Sequence, residues 1–504
     1  MLCKRLFCVL FLFRSSFLST KVTALDAKYS NLPPRAEEKF FLYDWPAVCH
    51  RGGSGAGKLL NATSGIYSTE QYNIFGLIHA RLLSDPRRTF RPEEATTFFI
   101  PYDLFTDSMT VRKPNGRVEH SYFEGRSDLA PEVFKLLKAS PYFLRNHGAD
   151  HVLIVGWPYV TDQLILRPKA IPLLTLCTNC TKLSTESHLF LYPSSIRNLA
   201  QELKGNNWFA IPYPSNFHFS SKVKAPLPYE ATERPLLVSY IGTSWCFSEP
   251  ATNLRTELVR YCALYGPNDC QHAHYSKYGP RASRLSANSV DAHSIYSMRS
   301  IFCFQPLGDT TARKGIFDAI HYGCIPVLFH PLSASAMYTL HWSPQLWRDI
   351  VIEIPFNLSR SSNHTSLLDD PILYLKNMVE KDQAGIERRQ RLLRQYAFML
   401  SYALESYNRS SSGGSFPSAW PRDEGGSPLR DAYEIAMDHV LGTHARGWVP
   451  VSGVEAKEVW RNDIDMLLPT FYHTEFESVL EAFKAENNVS MQSIIDGHVM
   501  LSLT

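Results

Sequence analysis

The chain has 504 residues, of which 44% are hydrophobic and 20% are charged, and its formal net charge at pH 7 is +3. This composition is ordinary for a globular protein, and the length predicts two domains. The charge excess is too small to indicate a nucleic-acid partner, and the sequence contains neither a basic cluster with interleaved aromatic residues nor a nucleic-acid-binding motif.

The first residues have the pattern of a secretory leader. Lys4 and Arg5 precede an apolar run at 6–13, and the small residues at 22–24 fit a cleavage site. The run is far shorter than the roughly 20 residues that span a bilayer. We therefore expect residues 1–24 to be a signal peptide, with a short signal anchor as the alternative, and either one places the body of the chain in the secretory lumen.

Glycosylation triplets and cysteines agree with a lumenal location. Asn-X-Ser/Thr triplets occur at Asn61, Asn179, Asn357, Asn363, Asn408 and Asn488.

Of ten cysteines, Cys3 and Cys8 lie in the leader, and the even remainder suggests disulfides in an oxidising compartment. Cys262–Cys270 is the preferred pair because it closes a short loop beyond a helix. Cys303 and Cys324 fit either a disulfide or two inert thiols. Cys177 and Cys180 have the spacing of a redox or zinc pair, but no second such pair accompanies them, which disfavours zinc.

The first half of the chain alternates between helical and strand patterns. Apolar residues at helical spacing predict a helix within 68–83, and buried strands are predicted at 97–101 and 151–156. The alternation continues to Pro212 and is typical of a doubly wound sheet. The glycine-rich stretch 51–58 does not fit a phosphate-binding motif, because Leu59 follows where Ser or Thr is required and no buried strand precedes.

A second alternating unit begins at 236–242, after a predicted linker at 233–235. A helix is predicted at 253–265, and two buried strands at 301–304 and 324–329 flank a loop and a helix that begins near Lys314. The loop lies at the carboxyl end of a strand, which is where open α/β sheets bind ligands.

This loop carries groups suited to phosphate. Thr310, Thr311, Arg313 and Lys314 place hydroxyls, two cations and backbone N–H groups at a helix N-terminus, where amides and the helix dipole stabilise an anion. Asp318, on the same end of the helix, is placed to accept hydrogen bonds from ribose hydroxyls. The alternative is that Asp309 merely caps the helix and Asp318 balances the two cations.

The segment FCFQPLGDTTARKGIFDAIHYGCIPVLFHP resembles the signature of the exostosin-type glycosyltransferases (glycosyltransferase family 47), and within that family it is most similar to the plant xyloglucan galactosyltransferase branch. Further segments follow in the branch's order at 32–35, 97–107, 148–151, 210–218, 333–344 and 431–440. The resemblance implies the α/β GT-B architecture, with two Rossmann-like domains that face a central cleft. The implied domains are an acceptor domain at 25–234 and a nucleotide-sugar domain at 235–445, and residues 446–504 have no assigned role.

The resemblance also implies site residues. The expected donor-binding residues are Gly242, Arg255, Gly308, Asp309, Thr310, Thr311, Arg313 and Asp318. Asp107 and the pair Asp150–His151 match the family's candidates for the catalytic base, and Asp107 is preferred because a histidine at a strand start is more often a packing residue. Tyr213 and His218 are expected on the acceptor side, or in a purely structural loop.

No metal or other cofactor is expected, because Arg313, Thr310, Thr311 and the helix amides can stabilise the departing diphosphate. The triplet Asp463-Ile464-Asp465 follows no buried strand, which argues against a metal-bound diphosphate.

These features predict an inverting, metal-independent transferase of the Golgi lumen that moves galactose from UDP-galactose to a cell-wall or matrix polysaccharide. Transfer of glucuronic acid, arabinose or galacturonic acid is the alternative activity. A catalytically silent glycan-binding or scaffold subunit is a further alternative, for which Gly315, where the branch commonly has a serine, is the one indication. A single-pass type II topology, association with Golgi membranes and assembly into homo- or hetero-oligomers remain open.

Overall fold

The structure is a computed structural model that describes residues 38–45, 58–61, 65–112, 118–120, 129–156, 168–186, 207–220, 223, 233–246, 249–273, 296–308, 310–330, 333–335, 337–354, 370–405, 420–422, 426 and 428–445. The leader, Asp309, Asp463-Ile464-Asp465 and the extension at 446–504 lie outside these residues. Within them, no helix is both long enough and apolar enough to cross a membrane.

The strands are β1 (Phe40–Leu42), β2 (Lys58–Asn61), β3 (Ile66–Ser68), β4 (Arg88–Thr89), β5 (Thr97–Phe99), β6 (Thr110–Arg112), β7 (Val118–His120), β8 (His151–Val155), β9 (Thr181–Ser184), β10 (Trp208–Ala210), β11 (Leu236–Ile241), β12 (Cys270–Ala273), β13 (Ser300–Gln305), β14 (Ile325–Leu328) and β15 (Ile352–Glu353). The α-helices are α1 (Ile74–Ser84), α2 (Leu104–Met109), α3 (Ala130–Ala139), α4 (Pro141–Arg145), α5 (Ile171–Leu176), α6 (Glu249–Asp269), α7 (Lys314–His321), α8 (Pro344–Ile350), α9 (Pro371–Lys381), α10 (Gln383–Tyr396) and α11 (Ala432–Ala445). Short 3-10 helices lie at Pro92–Glu94, Pro168–Ala170 and Ala397–Leu400.

Six strands form the first sheet, in the order β10-β9-β8-β5-β1-β4, and every pair is parallel. Parallel strands are covered by helices on both faces, so they need continuous apolar sequence, and β8 is accordingly buried along its whole length. Two antiparallel hairpins, β2–β3 and β6–β7, lie outside this sheet. The chain order reverses between β1 and β5.

Five strands form the second sheet, in the order β12-β11-β13-β14-β15, again all parallel. In order along the chain this is 2-1-3-4-5, a doubly wound topology whose order reverses between β11 and β13. The two sheets with their interleaved helices confirm the predicted α/β class and its two Rossmann-like units.

The last described helix, α11, packs on the first sheet although it follows the second sheet in the chain. Ala432, Tyr433 and Met437 belong to the same apolar cluster as Phe40 and Phe99. All described residues from Lys39 onward belong to one compact unit. Strands before and after residue 234 belong to different sheets, and the predicted domain boundaries stay a prediction.

An ionic cluster reinforces the contact of α11 with the first sheet. Arg81 of α1 is buried and pairs with Asp431 at 2.7 Å and with Glu434 at 3.0 Å. Arg87 pairs with Glu434 at 3.1 Å and with Asp438 at 2.8 Å. Removing one partner from a buried ion pair leaves an uncompensated charge, so these contacts fix where α11 can dock.

The preferred disulfide Cys262–Cys270 is confirmed, and Cys303–Cys324 forms the second bridge. The first links α6 to β12. The second links β13 to the residue that precedes β14, so it ties together the two strands that flank α7. Cys177 and Cys180 are buried thiols.

Candidate functional site

The predicted donor loop lies at the place where the second sheet offers a binding crevice. In a doubly wound sheet, ligands bind at the carboxyl ends of the two strands between which the chain order reverses. Those strands are β11 and β13. Gly242 directly follows β11, and the loop of residues 306–313, here called the β13–α7 loop, follows β13. The structure therefore brings Gly242 and the β13–α7 loop to the same edge.

Gly308 leaves room for the Arg313 guanidinium, which lies against it. A Cβ atom at position 308 would be 1.4 Å from Nη2 of Arg313. The Arg313 guanidinium donates to the Thr310 carbonyl at 3.2 Å, and the Gly308 amide donates to the same carbonyl at 3.1 Å. A side chain at position 308 would displace the guanidinium from the loop.

Arg255 brings a second cation to this edge from α6. Its Nε donates to the Leu307 carbonyl at 2.7 Å, and its Nη1 lies 3.4 Å from the Thr243 carbonyl, which also accepts from the Tyr240 hydroxyl at 2.6 Å. Burial raises the pKa of Tyr240 to about 12, and the charges of Arg255 and Arg313 both oppose that rise. Both guanidinium groups therefore act on the crevice at the ends of β11 and β13.

The N-terminus of α7 has no acidic group of its own in the first turn. Arg313 is its N-cap residue and makes no side-chain cap. By contrast, α9 and α10 are capped by the carboxylates of Asp370 and Asp382. The positive end of the α7 dipole, together with the Arg313 side chain, therefore favours an added anion such as a phosphate.

Lys314 and Asp318 pair with each other, and both side chains are largely buried. The Lys314 ammonium lies 2.7 and 2.9 Å from the two Asp318 oxygens and 2.9 Å from Oδ1 of Asn216. Asp318 also accepts from the Asn216 amide at 2.8 Å and is 2% exposed. Asp318 thus ties the segment after β10 to α7, and a role in binding ribose stays a prediction. Thr311 is buried in the loop.

The two predicted acceptor-side residues are both buried. The His218 Nδ1–H donates to the Tyr402 carbonyl at 2.9 Å, and its Nε2 accepts from the Thr69 hydroxyl at 2.8 Å. Burial lowers the pKa of His218 to about 4, so the ring is neutral at pH 7. These contacts favour the purely structural interpretation for His218, while Tyr213 takes part in the network described below.

Asp107, the preferred candidate base, lies at the reversal point of the first sheet. It belongs to α2, which follows β5. Its Oδ2 accepts from the Tyr102 hydroxyl at 2.9 Å and from the Leu129 amide at 3.0 Å, and the side chain is buried. The position agrees with the expectation, and the catalytic role stays a prediction.

Asp150 and His151 form a buried pair at the start of β8. His151 Nδ1 lies 2.7 Å from Asp150, and Nε2 lies 2.9 Å from the Tyr43 hydroxyl. Burial would raise the pKa of Asp150, but hydrogen bonds from His151, Arg145 and Asn146 outweigh it and lower the value to about 2. Burial lowers the pKa of His151. The pair lies at the amino end of its strand, and its polar atoms bond within the fold, which favours the packing interpretation for His151.

Glu186, which the sequence analysis missed, connects the two sheets. It lies two residues beyond β9 and is 0% exposed. Its Oε1 accepts from the Thr310 hydroxyl of the β13–α7 loop at 2.7 Å and from the Tyr213 hydroxyl. Tyr338, which follows β14 in the chain, donates to the Thr185 carbonyl at 2.6 Å. The carboxyl end of the first sheet therefore contacts the donor loop of the second.

No hydrophobic pattern in the sequence marks β9, because its residues Thr-Lys-Leu-Ser include a single apolar side chain. A carboxylate shortly after a strand is the signal that could have indicated Glu186, but β9 itself could not be recognised from the sequence. Among the described residues there is no group of three or more His, Cys, Asp or Glu side chains that could hold a metal ion. The metal-independent mechanism stays a prediction.

Comparison with known proteins identifies the family. Residues 29–366, which are most of the chain, match the Exostosin GT47 domain. The chain belongs to the exostosin GT47 family. The family named from the loop motif is thereby confirmed.

Relatives of this GT47 chain come from Arabidopsis thaliana. It is 28% identical over 307 residues to "Probable xyloglucan galactosyltransferase GT17", covering 58% of this chain and 59% of the relative. It is 25% identical over 409 residues to "Xyloglucan-specific galacturonosyltransferase 1", covering 79% and 53%, and 25% identical over 378 residues to "Xyloglucan galactosyltransferase MUR3", covering 69% and 55%. The chain thus spans little more than half the length of these relatives.

Solved structures resemble this GT47 chain only distantly. A sucrose-phosphate synthase from Thermosynechococcus elongatus gives a TM-score of 0.32 at 10% identity, covering 71% of this chain and 94% of that chain. The pneumococcal O-GlcNAc transferase GtfA gives 0.29 at 8% identity, covering 57% and 58%. TM-scores this low do not support a fold assignment, which depends instead on the strand order of the two sheets.

Proposed function

We propose that this chain is an inverting glycosyltransferase that transfers a sugar from a UDP-sugar to a glycan acceptor. The observation that carries the proposal is the cationic edge of the second sheet, where Arg255 and Arg313 meet the start of α7. Arg313 lies against Gly308 at the point where the chain order reverses. A diphosphate is an anion whose charge suits two guanidinium groups and a helix N-terminus.

In this proposal the reaction is a single displacement. The bond between the anomeric carbon and the β-phosphate oxygen breaks while the acceptor hydroxyl oxygen bonds to that carbon, and a base takes the hydroxyl proton. Arg255, Arg313 and the α7 amides stabilise the negative charge that develops on the departing UDP. Asp107, beyond β5, is the candidate base. The N-terminal unit at 25–234 would bind the acceptor and the unit at 235–445 the donor.

Galactose is the proposed sugar and a cell-wall or matrix polysaccharide the proposed acceptor. The names of the relatives support this choice, since they include xyloglucan galactosyltransferases. They also support a second candidate, galacturonic acid. The Golgi lumen is the proposed location, in line with the leader pattern and the Asn-X-Ser/Thr triplets.

Gly315 does not require a catalytically silent subunit. A Cβ atom at position 315 would lie 2.5 Å from Oε1 of Gln305. The Gln305 carboxamide therefore fills the space into which a serine at this position would project, and it brings a polar group to the helix start. We accordingly prefer an active enzyme to a scaffold.

The deciding experiment is a screen of UDP-sugars with the glycosylated protein secreted from plant or insect cells. UDP release is measured with UDP-galactose, UDP-galacturonic acid, UDP-glucuronic acid and UDP-arabinose, each with and without xyloglucan oligosaccharides, and products are analysed by mass spectrometry. We expect turnover with UDP-galactose. Absence of turnover and of UDP binding would overturn the proposal, whereas turnover with another donor would correct the sugar alone.

A further inference from the structure

Glu186 lies beside the donor loop but has no role in the transfer reaction proposed above. Its Oε1 accepts hydrogen bonds from Tyr213, which follows β10 of the first sheet, and from Thr310, which belongs to the β13–α7 loop of the second. Tyr213 and Thr310 are both buried. A single carboxylate oxygen thus joins both halves of the fold beside the donor loop.

The other carboxylate oxygen of Glu186 has no hydrogen-bond partner in the described structure, although it is buried. A buried polar group without a partner is destabilising, and more so when it is charged. Burying a negative charge in this way favours binding of a proton. The geometry is therefore that of a carboxyl group that changes its protonation state when its surroundings change.

Three ionisable groups face Glu186 from the elements around it. These are Tyr213, Arg313 of the β13–α7 loop, and Tyr338. Burial raises the pKa of Glu186 to about 7, against the lowering effects of the Tyr213 and Thr310 hydroxyls and of the Arg313 charge. Burial raises the pKa of Tyr338, and the negative charge of Glu186 adds to that rise. Arg313 is thus the cation that keeps Glu186 partly ionised, and it is also the proposed diphosphate ligand.

We propose that Glu186 is a positioning residue that holds the β13–α7 loop through Thr310 and takes up a proton when a diphosphate binds to Arg313. The inference rests on the proposed function. A bound diphosphate neutralises the guanidinium and adds negative charge nearby, and like charges disfavour the ionised carboxylate. A protonated Glu186 can still accept from Thr310, so the loop stays in place while the second oxygen loses its charge.

Titration calorimetry of UDP binding at pH 7 tests this, with buffers of different ionisation enthalpy to count protons. Because the terminal phosphate of UDP titrates as well, the informative quantity is the difference between the wild-type protein and Glu186→Gln. Because the pKa of Glu186 is raised to about 7, the carboxylate is ionised in part of the molecules at pH 7, so we expect the wild type to take up more protons per UDP than Glu186→Gln, by a fraction of one proton. Glu132→Gln, which changes an exposed residue of α3, should behave as the wild type.

A second pair of variants separates positioning from proton uptake. Thr310→Val removes the hydroxyl and keeps the shape, whereas Thr310→Ser keeps the hydroxyl. We expect Thr310→Val to raise the donor KM about tenfold with a smaller effect on the acceptor KM, and Thr310→Ser to stay near the wild type.

Equal proton counts in the wild type and Glu186→Gln would overturn the inference, as would equal donor KM values in the two Thr310 variants. Failure of the wild type to bind UDP would instead count against the proposed function.

Discussion

Two regions of the molecule carry residues that suggest chemistry, and they differ in how their polar atoms are used. In the Asp150–His151 region, carboxylate and imidazole atoms bond to one another, to Arg145 and to Tyr43. At the cationic edge of the second sheet, the guanidinium groups of Arg255 and Arg313 donate to backbone carbonyls, and the charge of Arg313 also acts on Glu186. A pair of catalytic residue types whose polar atoms bond to one another is therefore a weaker sign of a site than two cations beside a helix N-terminus at a strand's carboxyl end.

Replacement of Arg313 should have the largest effect. Arg313→Ala removes a guanidinium from the proposed diphosphate site, and charge-assisted hydrogen bonds contribute about 1.5–3 kcal/mol each, so UDP should bind about 100-fold more weakly. Calorimetry with UDP measures this. Arg260→Ala, at an exposed position of α6, is the matched control and should bind UDP normally. Unchanged UDP affinity in Arg313→Ala would remove Arg313 from the donor site.

Replacement of His151 should affect stability and spare binding. His151→Ala removes one hydrogen-bond partner from Asp150 and one from Tyr43 and opens a cavity, so the free energy of unfolding should fall by about 3 kcal/mol. The urea midpoint reports that loss. UDP affinity and kcat, measured at low temperature where the variant is folded, should change less than about threefold. A loss of kcat without a loss of stability would restore His151 as a catalytic residue.

Three buried histidines, His218, His321 and His341, make the free energy of unfolding depend on pH. Burial lowers the pKa of His218 and His321 to about 4 and that of His341 to about 3. Between pH 6.5 and 4 these three histidines bind more protons in the unfolded chain than in the folded protein, so they lower the free energy of unfolding as the pH falls, by up to about 3 kcal/mol each. Glu186, whose pKa is raised to about 7, has the opposite sign and offsets about one of the three, so the free energy of unfolding should still decrease.

Urea unfolding from pH 7.5 to 4.5 measures this pH dependence, and His218→Gln should reduce the slope. Stability that does not change with pH in this window would mean that these histidines are not buried as described.

The smallest effect is expected at Gly315. In Gly315→Ser the new Cβ meets only the end of the flexible Gln305 side chain, so kcat/KM should change by less than about fivefold. UDP release with the preferred donor measures it. An inactive wild type that gains turnover in Gly315→Ser would identify the natural chain as the silent subunit.

The sequence predicted the interior of the fold better than its edges. The buried strands β5, β8, β13 and β14 all lie where continuous apolar runs predicted them, because a strand covered on both faces has no polar alternation. The strands β9 and β10, at one edge of the first sheet, are short and have mixed sequences, and they were not located.

The candidate site was predicted in part for a similar reason. Gly308, Thr310 and Arg313 lie within one loop, and local sequence was sufficient to group them as candidate donor-binding residues. Glu186 lies 124 positions from Thr310 in the chain, and the pairing of Lys314 and Asp318 with Asn216 also depends on distant segments. Which carboxylates remain available to a ligand is decided by such long-range contacts, which a single sequence does not show.

The ion pairs between Arg81 and α11 have a consequence for how the protein can be divided. Since α11 follows the second sheet in the chain but packs on the first, a fragment cut at the predicted linker near residue 234 would lose α11 from the apolar cluster that contains Phe40 and Ile74. The complementary fragment would carry a helix with no surface to cover. The two halves are therefore expected to be expressible only together.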